Sequence, residues 1–321
     1  MSTALLKVEK LSKVFGNQRS LFGRKQNCVH AVTEVSLTLQ QGEILGIVGE
    51  SGCGKSTLAK MMVSLVAPTE GSISFQGAPI HGLKGDQKKA FFKKVQYIFQ
   101  DPLSSLNPKK TVRQVLDAPL KLLLQWPQEK RETRMRELMN LVNLNEEFLD
   151  RYPHEFSGGQ RQRICIAKAL AAEPELLILD EPVSALDVSI QAQILNLLKE
   201  LKQRLGLTYV FISHDLAVVE KISDLVAVMY LGRIVESGPC HQLFQNPLHP
   251  YTKVLLSSIP QLGKASRKRV TFQGEPPDPS LLPTGCGFYS RCQQAEPRCK
   301  EERPELNSKE QGQRVACFLK N

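Results

Sequence analysis

The sequence predicts an α/β fold, and three observations carry that expectation. First, an apolar run, Ile44-Leu45-Gly46-Ile47-Val48, reads as a buried strand. It is followed by Gly49-Glu50-Ser51-Gly52-Cys53-Gly54-Lys55-Ser56 and then by the helix-like Thr57-Leu58-Ala59-Lys60-Met61-Met62. Second, another apolar run, Leu176-Leu177-Ile178-Leu179, ends in Asp180-Glu181. Third, helix candidates over 158–172 and 188–204 alternate with strands over 176–179 and 208–212.

The remaining elements follow in order. Residues 5–48 alternate apolar and polar positions in strand fashion, as in Leu6-Lys7-Val8-Glu9 and Val35-Ser36-Leu37-Thr38-Leu39, with a polar, basic insert from Gly16 to His30. Residues 71–80 and 95–99 read as short strands. From Thr111 to Leu144 the pattern turns helical, with Val112, Val115, Leu116, Leu120 and Leu123, then Met135, Leu138, Met139 and Val142, near helix spacing. Strands over 225–230 and 233–236 complete a globular unit near residue 245. Beyond it, residues 272–284 are Pro-rich and read as extended linker.

Gly49 to Ser56 fits the P-loop pattern in the strand–loop–helix context that the motif needs. Glycines let the loop bend so that several backbone N–H groups point at one anion, and the helix N-terminus adds its dipole. Gly49, Ser51, Gly52, Gly54 and Thr57 are expected to line that cradle, Lys55 to reach the terminal phosphates, and Ser56 to ligate Mg²⁺. The chain is expected to bind a nucleoside triphosphate, ATP. Asp180 ends a strand, where an α/β sheet gathers ligands, and is a natural metal or ligand partner. Glu181 beside it is placed to polarise an attacking water. Phe156-Ser157-Gly158-Gly159-Gln160 opens another helix, a second anion-binding N-terminus. Two such phosphate sites in one chain suggest that two chains share each nucleotide.

Composition narrows the class. The chain has 321 residues, 41% of them hydrophobic, and a net charge of +10. No apolar run reaches the length of a membrane span, and the N-terminus lacks a signal peptide's apolar region, so a cytosolic chain is expected. The positive balance reads as solvated lysines beside an anionic inner leaflet. No basic run with interleaved aromatics argues for nucleic acid.

The motifs together resemble the ATPase subunit of an ABC transporter over residues 5 to about 240. Phe156 to Gln160 is similar to that family's signature, which more often has Leu first. Gln100 matches the Q-loop glutamine, Ser184-Ala185-Leu186-Asp187 the D-loop, and His214 the switch histidine. The resemblance implies a P-loop ATPase core over 1–245 with an antiparallel β subdomain, and a helical subdomain at about 102–157. It implies that Gln100 links Mg²⁺ or water to a membrane partner, that His214 holds the γ-phosphate, that Glu181 is the base, and that Phe15 stacks on adenine. Asn246-Pro247-Leu248-His249-Pro250-Tyr251-Thr252 resembles the post-core motif of peptide and nickel importers. Gln100-Asp101-Pro102-Leu103-Ser104-Ser105-Leu106-Asn107-Pro108 is similar to their extended Q-loop. Residues 246–321 resemble the C-terminal extension of dipeptide and oligopeptide importer ATPases, closest to the dipeptide-type second subunit. The function implied is ATP hydrolysis, peripheral on the cytoplasmic face of the inner membrane, that powers peptide import. The implied partners are a second related ATPase, as a heterodimer, two permease subunits and a substrate-binding protein. Nickel or haem import is the alternative within transport. A soluble ABC ATPase acting on nucleic acid is the rival class, but the gap from Gln100 to Ser157 is transporter-sized and no second P-loop exists.

Four of the eight cysteines, Cys286, Cys292, Cys299 and Cys317, crowd the tail with five, six and seventeen residues between them. In a cytosolic chain such a cluster favours a metal or redox centre over disulfides. The spacing lets four thiolates hold either Zn²⁺ or an iron–sulfur cluster. The resemblance implies a [4Fe–4S] cluster. Cys53, at a variable position of the P-loop, is expected to be inert.

Overall fold

The computed structural model describes residues 4–16, 28–258, 277–278, 280 and 283–320. Strands β1 (Leu6–Phe15), β2 (Val29–Leu39) and β3 (Ile44–Val48) precede helix α1 (Lys55–Met62) and strands β4 (Glu70–Phe75) and β5 (Ala78–Pro79). Helix α2 (Gly85–Lys94), strand β6 (Val95–Ile98) and helices α3 (Pro102–Ser105), α4 (Val112–Pro119), α5 (Gln128–Leu141) and α6 (Gly158–Leu170) follow. Next come β7 (Leu176–Asp180), α7 (Val188–Leu205), β8 (Thr208–Ser213), α8 (Leu216–Ile222), β9 (Leu225–Tyr230) and β10 (Arg233–Pro239). The C-terminal part holds α9 (Cys240–Gln245), α10 (Pro250–Ser257), α11 (Pro297–Glu301), β11 (Asn307–Ser308) and β12 (Arg314–Val315). Most of the Gly16–His30 insert and of the Pro-rich 272–284 stretch lies outside the described residues.

The chain packs as two compact units. One comprises Met1–Leu39, Ile44–His81 and Ser213–Asn321, the other Gln40–Glu43 and Gly82–Ile212. In the first, β1 pairs antiparallel with β2 and β4, and β4 with β5, which makes the antiparallel β subdomain. In the same unit β3 runs parallel to β9, and β9, β10, β12 and β11 continue in antiparallel pairs. Every residue of β3 is buried, as a continuous apolar run in a parallel strand requires. Helix α8 approaches β3 closely at Gly46, where a Cβ would sit 2.5 Å from Val219 Cγ1 and from Ser223 Oγ.

In the second unit β6, β7 and β8 pair in parallel, and β7 is buried throughout. The expected helical stretch from Thr111 is present but interrupted. Thr111 opens α4 with a reciprocal capping box to Gln114. Pro119 then lies in the helix, Leu120–Leu124 form a π-helical turn, and Gln125 turns left-handed at φ 57°. Pro127, itself extended at φ −64° and ψ 158°, stands immediately before α5. The expected strand over 71–80 is a hairpin, β4 and β5, because Gln76 and Gly77 both take positive φ. Among the described residues, no helix is long and apolar enough to cross a membrane.

Candidate nucleotide site

In the first unit, β3 delivers the chain to the loop Gly49–Gly54 and α1 receives it. Gly49 and Gly54 hold φ of 154° and 104°, and a Cβ would lie 2.1 Å from Met229 O and 2.0 Å from Ala31 O. Only glycine fits both places, because the turn and the neighbouring strands leave no room for a side chain. The loop is pinned from outside by Gly232 N donating to Cys53 O at 2.9 Å. The glycine N-cap supplies no side-chain acceptor to the first turn of α1, so backbone donors there suit an anion. Lys55 is buried, and its Nζ donates to Gly49 O and Glu50 O, each at 2.8 Å. The ammonium thus curls back over the concavity of its own loop. A glycine loop with uncapped backbone donors and a lysine ammonium folded over it fits a polyphosphate, and the Ser56 hydroxyl is the hard oxygen donor Mg²⁺ prefers. Burial pushes the Cys53 thiol above its ordinary range, as expected of an inert cysteine.

The same unit carries His214, exposed just past β8, and Phe15, which is 42% exposed with Lys13 Nζ 5.1 Å from its ring centroid.

In the second unit, β7 ends in a carboxylate pair. Asp180 is 4% exposed and accepts the Tyr97 hydroxyl at 2.6 Å. Burial, with the Asp180 carboxylate beside it, holds the Tyr97 phenol far above its ordinary pKa, so it remains a donor. Glu181 follows in the left-handed region at φ 49°, a strained position for glutamate. Its N–H donates to Ile212 O at 3.0 Å, and Gln100 Nε2 donates to its Oε2 at 2.9 Å. Two residues singled out separately in the sequence, Gln100 and Glu181, therefore meet directly. Tyr97 was not foreseen; the only signal was an aromatic in a strand directly beside the one that ends in Asp180.

The signature segment also lies in this unit. Phe156 is buried against Phe148, ring centroids 5.7 Å apart, which explains an aromatic where Leu is commoner. Ser157 Oγ accepts from Gln160 N at 3.3 Å, and Gln160 Oε1 accepts from Ser157 N at 3.0 Å. Gly159 lets α7 approach, since a Cβ there would meet Ile190 Cγ2 at 2.5 Å. Asp187 of the D-loop caps α7 by accepting from Ile190 N at 2.9 Å.

The four tail cysteines line one cavity together with His249, Tyr289 and Phe318, whose room of about 10 Å³ admits no more than one water. The expectation of a metal centre, [4Fe–4S] or Zn²⁺, is overturned. Among the described residues no group of three or more His, Cys, Asp or Glu side chains is arranged to hold a metal ion. Burial pushes the Cys286, Cys292 and Cys317 thiols up, Cys286 to about 11, so they favour the neutral form in which cysteine packs as a small hydrophobe.

Comparison with known proteins agrees with this geometry. Residues 32–184 match the ABC transporter family, and residues 235–299 match the oligopeptide/dipeptide transporter C-terminal region. The oligopeptide transport ATP-binding protein AppF of Bacillus subtilis is 50% identical over 319 residues, 98% of this chain and 97% of its own. The dipeptide transport ATP-binding protein DppF of Escherichia coli is 46% identical over 98% of this chain and 94% of its own. Among solved structures, cbiO1 from Clostridium perfringens, part of the ABC transporter complex cbiONQ, superposes with a TM-score of 0.65 at 28% identity, covering 76% of this chain and 91% of that one. The cassette MJ0796, dimeric in a post-hydrolysis state with ADP and Pi, gives 0.63 at 28% identity, covering 73% and 98%. The chain belongs to the family of ABC transporter ATP-binding proteins of the oligopeptide and dipeptide type. It is an ATPase with the mixed α/β fold of those cassettes.

Proposed function

We propose that the chain hydrolyses ATP to power import of dipeptides or oligopeptides through a membrane ABC transporter. The contact between Gln100 and Glu181 at the end of β7 carries the hydrolytic reading. A carboxylate held by an amide donor, next to the buried Asp180, is equipped to take a proton from water while its orientation is fixed. The match of residues 235–299 to the peptide-transporter C-terminal region supports the cargo class.

Residue by residue, the backbone of Gly49, Ser51, Gly52, Gly54 and Thr57 would cradle phosphate. Lys55 would leave its two carbonyls to take phosphate charge, and Phe15 would stack on adenine. Ser56 and Gln100 would offer oxygens to Mg²⁺, which supplies charge neutralisation when bound. Glu181 would accept the proton of the attacking water, with Asp180 held by Tyr97 behind it. His214 would hold the γ-phosphate. Ser157, Gly158, Gly159 and Gln160 would serve the nucleotide of a second ATPase chain, in keeping with the dimeric MJ0796 cassette. Residues 1–245 would form the nucleotide-binding domain, with a helical subdomain over about 102–157 and the permeases docked near Gln100, and residues 246–321 the peptide-importer extension. The assembly would pair the chain with a related ATPase, two permeases and a substrate-binding protein at the cytoplasmic face of the inner membrane.

Glu181→Gln keeps the shape and removes the base. ATP turnover should fall on the order of 10²–10⁴-fold while ATP binding survives. Near-normal turnover in that variant would exclude the assigned role.

A further inference from the structure

The phosphate loop is gripped by the C-terminal part of its own unit. Arg291, whose side chain is 5% exposed, donates from Nη1 to Glu50 Oε2 at 2.9 Å and from Nη2 to Glu50 Oε1 at 3.0 Å. This is a two-point fork onto the second residue of the loop, the geometry that guanidinium matches best. Glu50 is held a second time, through its backbone N–H, which donates to the buried Tyr251 hydroxyl at 2.9 Å. Both holding groups rest on one aromatic cluster. Tyr230 lies 4.7 Å from Tyr251 and 5.4 Å from Phe288, and its hydroxyl accepts from Arg291 Nη1 at 3.3 Å.

Glu50 is no bystander in the loop, since its carbonyl is one of the two that hold Lys55 Nζ. Its carboxylate also places negative charge on the second residue of a loop read as holding a polyanion. Left unpaired, that charge would repel the triphosphate and free the Glu50 side chain from the C-terminal segment that ties it down.

We propose that Arg291 is a positioning residue of the nucleotide site, which neutralises Glu50 and fixes the phosphate loop, so that ATP affinity depends on the docked C-terminal segment. The proposal rests on the reading that Gly49–Thr57 holds the phosphates.

The test is equilibrium titration of the full-length chain with ATP, using a fluorescent ATP analogue as competitor. Arg291→Ala should weaken ATP binding about tenfold, as loss of charge-assisted hydrogen bonds implies. Arg291→Lys, which keeps the charge and loses the fork, should fall between. Adding Glu50→Gln to Arg291→Ala should restore most of the affinity, and the defect of Arg291→Ala should shrink as salt screens the unpaired carboxylate. A merely structural role would leave the defect insensitive to Glu50 and to salt, and would overturn the proposal. If Arg291→Ala does not fold, Arg291→Lys with and without Glu50→Gln decides by the same two criteria. Lys55→Ala separates the two readings. Normal ATP affinity there sinks the phosphate-loop reading and the proposal with it, whereas lost affinity there beside unaltered affinity in Arg291→Ala overturns the proposal alone.

Discussion

The phosphate loop and the cysteine cavity belong to the same compact unit yet present their polar groups in opposite ways. The loop turns backbone toward an open concavity, and its glycines stand where a Cβ would meet carbonyl oxygens at 2.0–2.1 Å. The cavity turns four side chains inward, among His249, Tyr289 and Phe318, with room for one water at most. Peptide N–H groups cannot be neutralised by a proton, so a loop built from them stays ready for an anion. Thiols can hold their protons, and when burial makes that the favoured state they fill space instead. A ligand site made of backbone is thus robust to its surroundings, and one made of cysteines is hostage to them.

That contrast can be broken most decisively at Lys55. Lys55→Ala should lower ATP affinity by roughly 10- to 100-fold, as the loss of hydrogen bonds from a charged group implies, whereas Cys286→Ala should leave it near normal. Isothermal titration of both variants checks this, and equal losses would erase the distinction. Gly54→Ala comes next. Its methyl would press on Ala31 O, so a destabilisation of about 2–3 kcal/mol is expected from strain and overpacking, read as a lower urea midpoint.

A third test uses pH. Cys286 has its pKa raised on folding, so the native state binds that proton more tightly than the unfolded chain. Its contribution is therefore complete below pH 9, the ordinary thiol value, and is lost as pH rises toward 11. Cys292 and Cys317 shift in the same direction and add to the slope. Stability should fall across that window by at most about 1.4 kcal/mol per pH unit for each thiol, and Cys286→Ala should flatten it. Stability that rises between pH 9 and 11 would mean that the thiols ionise readily in the folded chain. The smallest effect belongs to Cys53→Ser, within the loop itself. Because the loop works through its backbone, ATP affinity should stay within about threefold, consistent with the small net worth of a weak sulfur hydrogen bond.

The same division explains what the sequence disclosed. The loop was legible because glycine spacing, a preceding apolar strand and a following helix are local features. Asp180 and Glu181 were legible from one strand end, and the signature from a cap followed by two glycines. Helix α2 was missed because its run Gly85–Lys94 is mostly charged and polar, with Phe91 as its buried residue. The short helices α8, α9 and α10 gave too few turns for periodicity to register. Tyr97 went unseen because nothing marks one tyrosine in a strand until β6 is paired with β7. The cysteine spacing supplied the ligand types but not their mutual arrangement, and among the described residues no group of three or more is arranged to hold a metal ion. The pairing of Arg291 with Glu50 had no sequence signal, since 241 positions separate them.

That separation also sets an order of events. On a ribosome adding about 5–20 residues per second, the loop emerges on the order of tens of seconds before the arginine that grips it. Through that interval Glu50 lacks its Arg291 partner, and on the proposal above the nascent chain would hold ATP less well. A residue made much later completes a loop laid down early, so copies that stop before Arg291 lack its grip on Glu50.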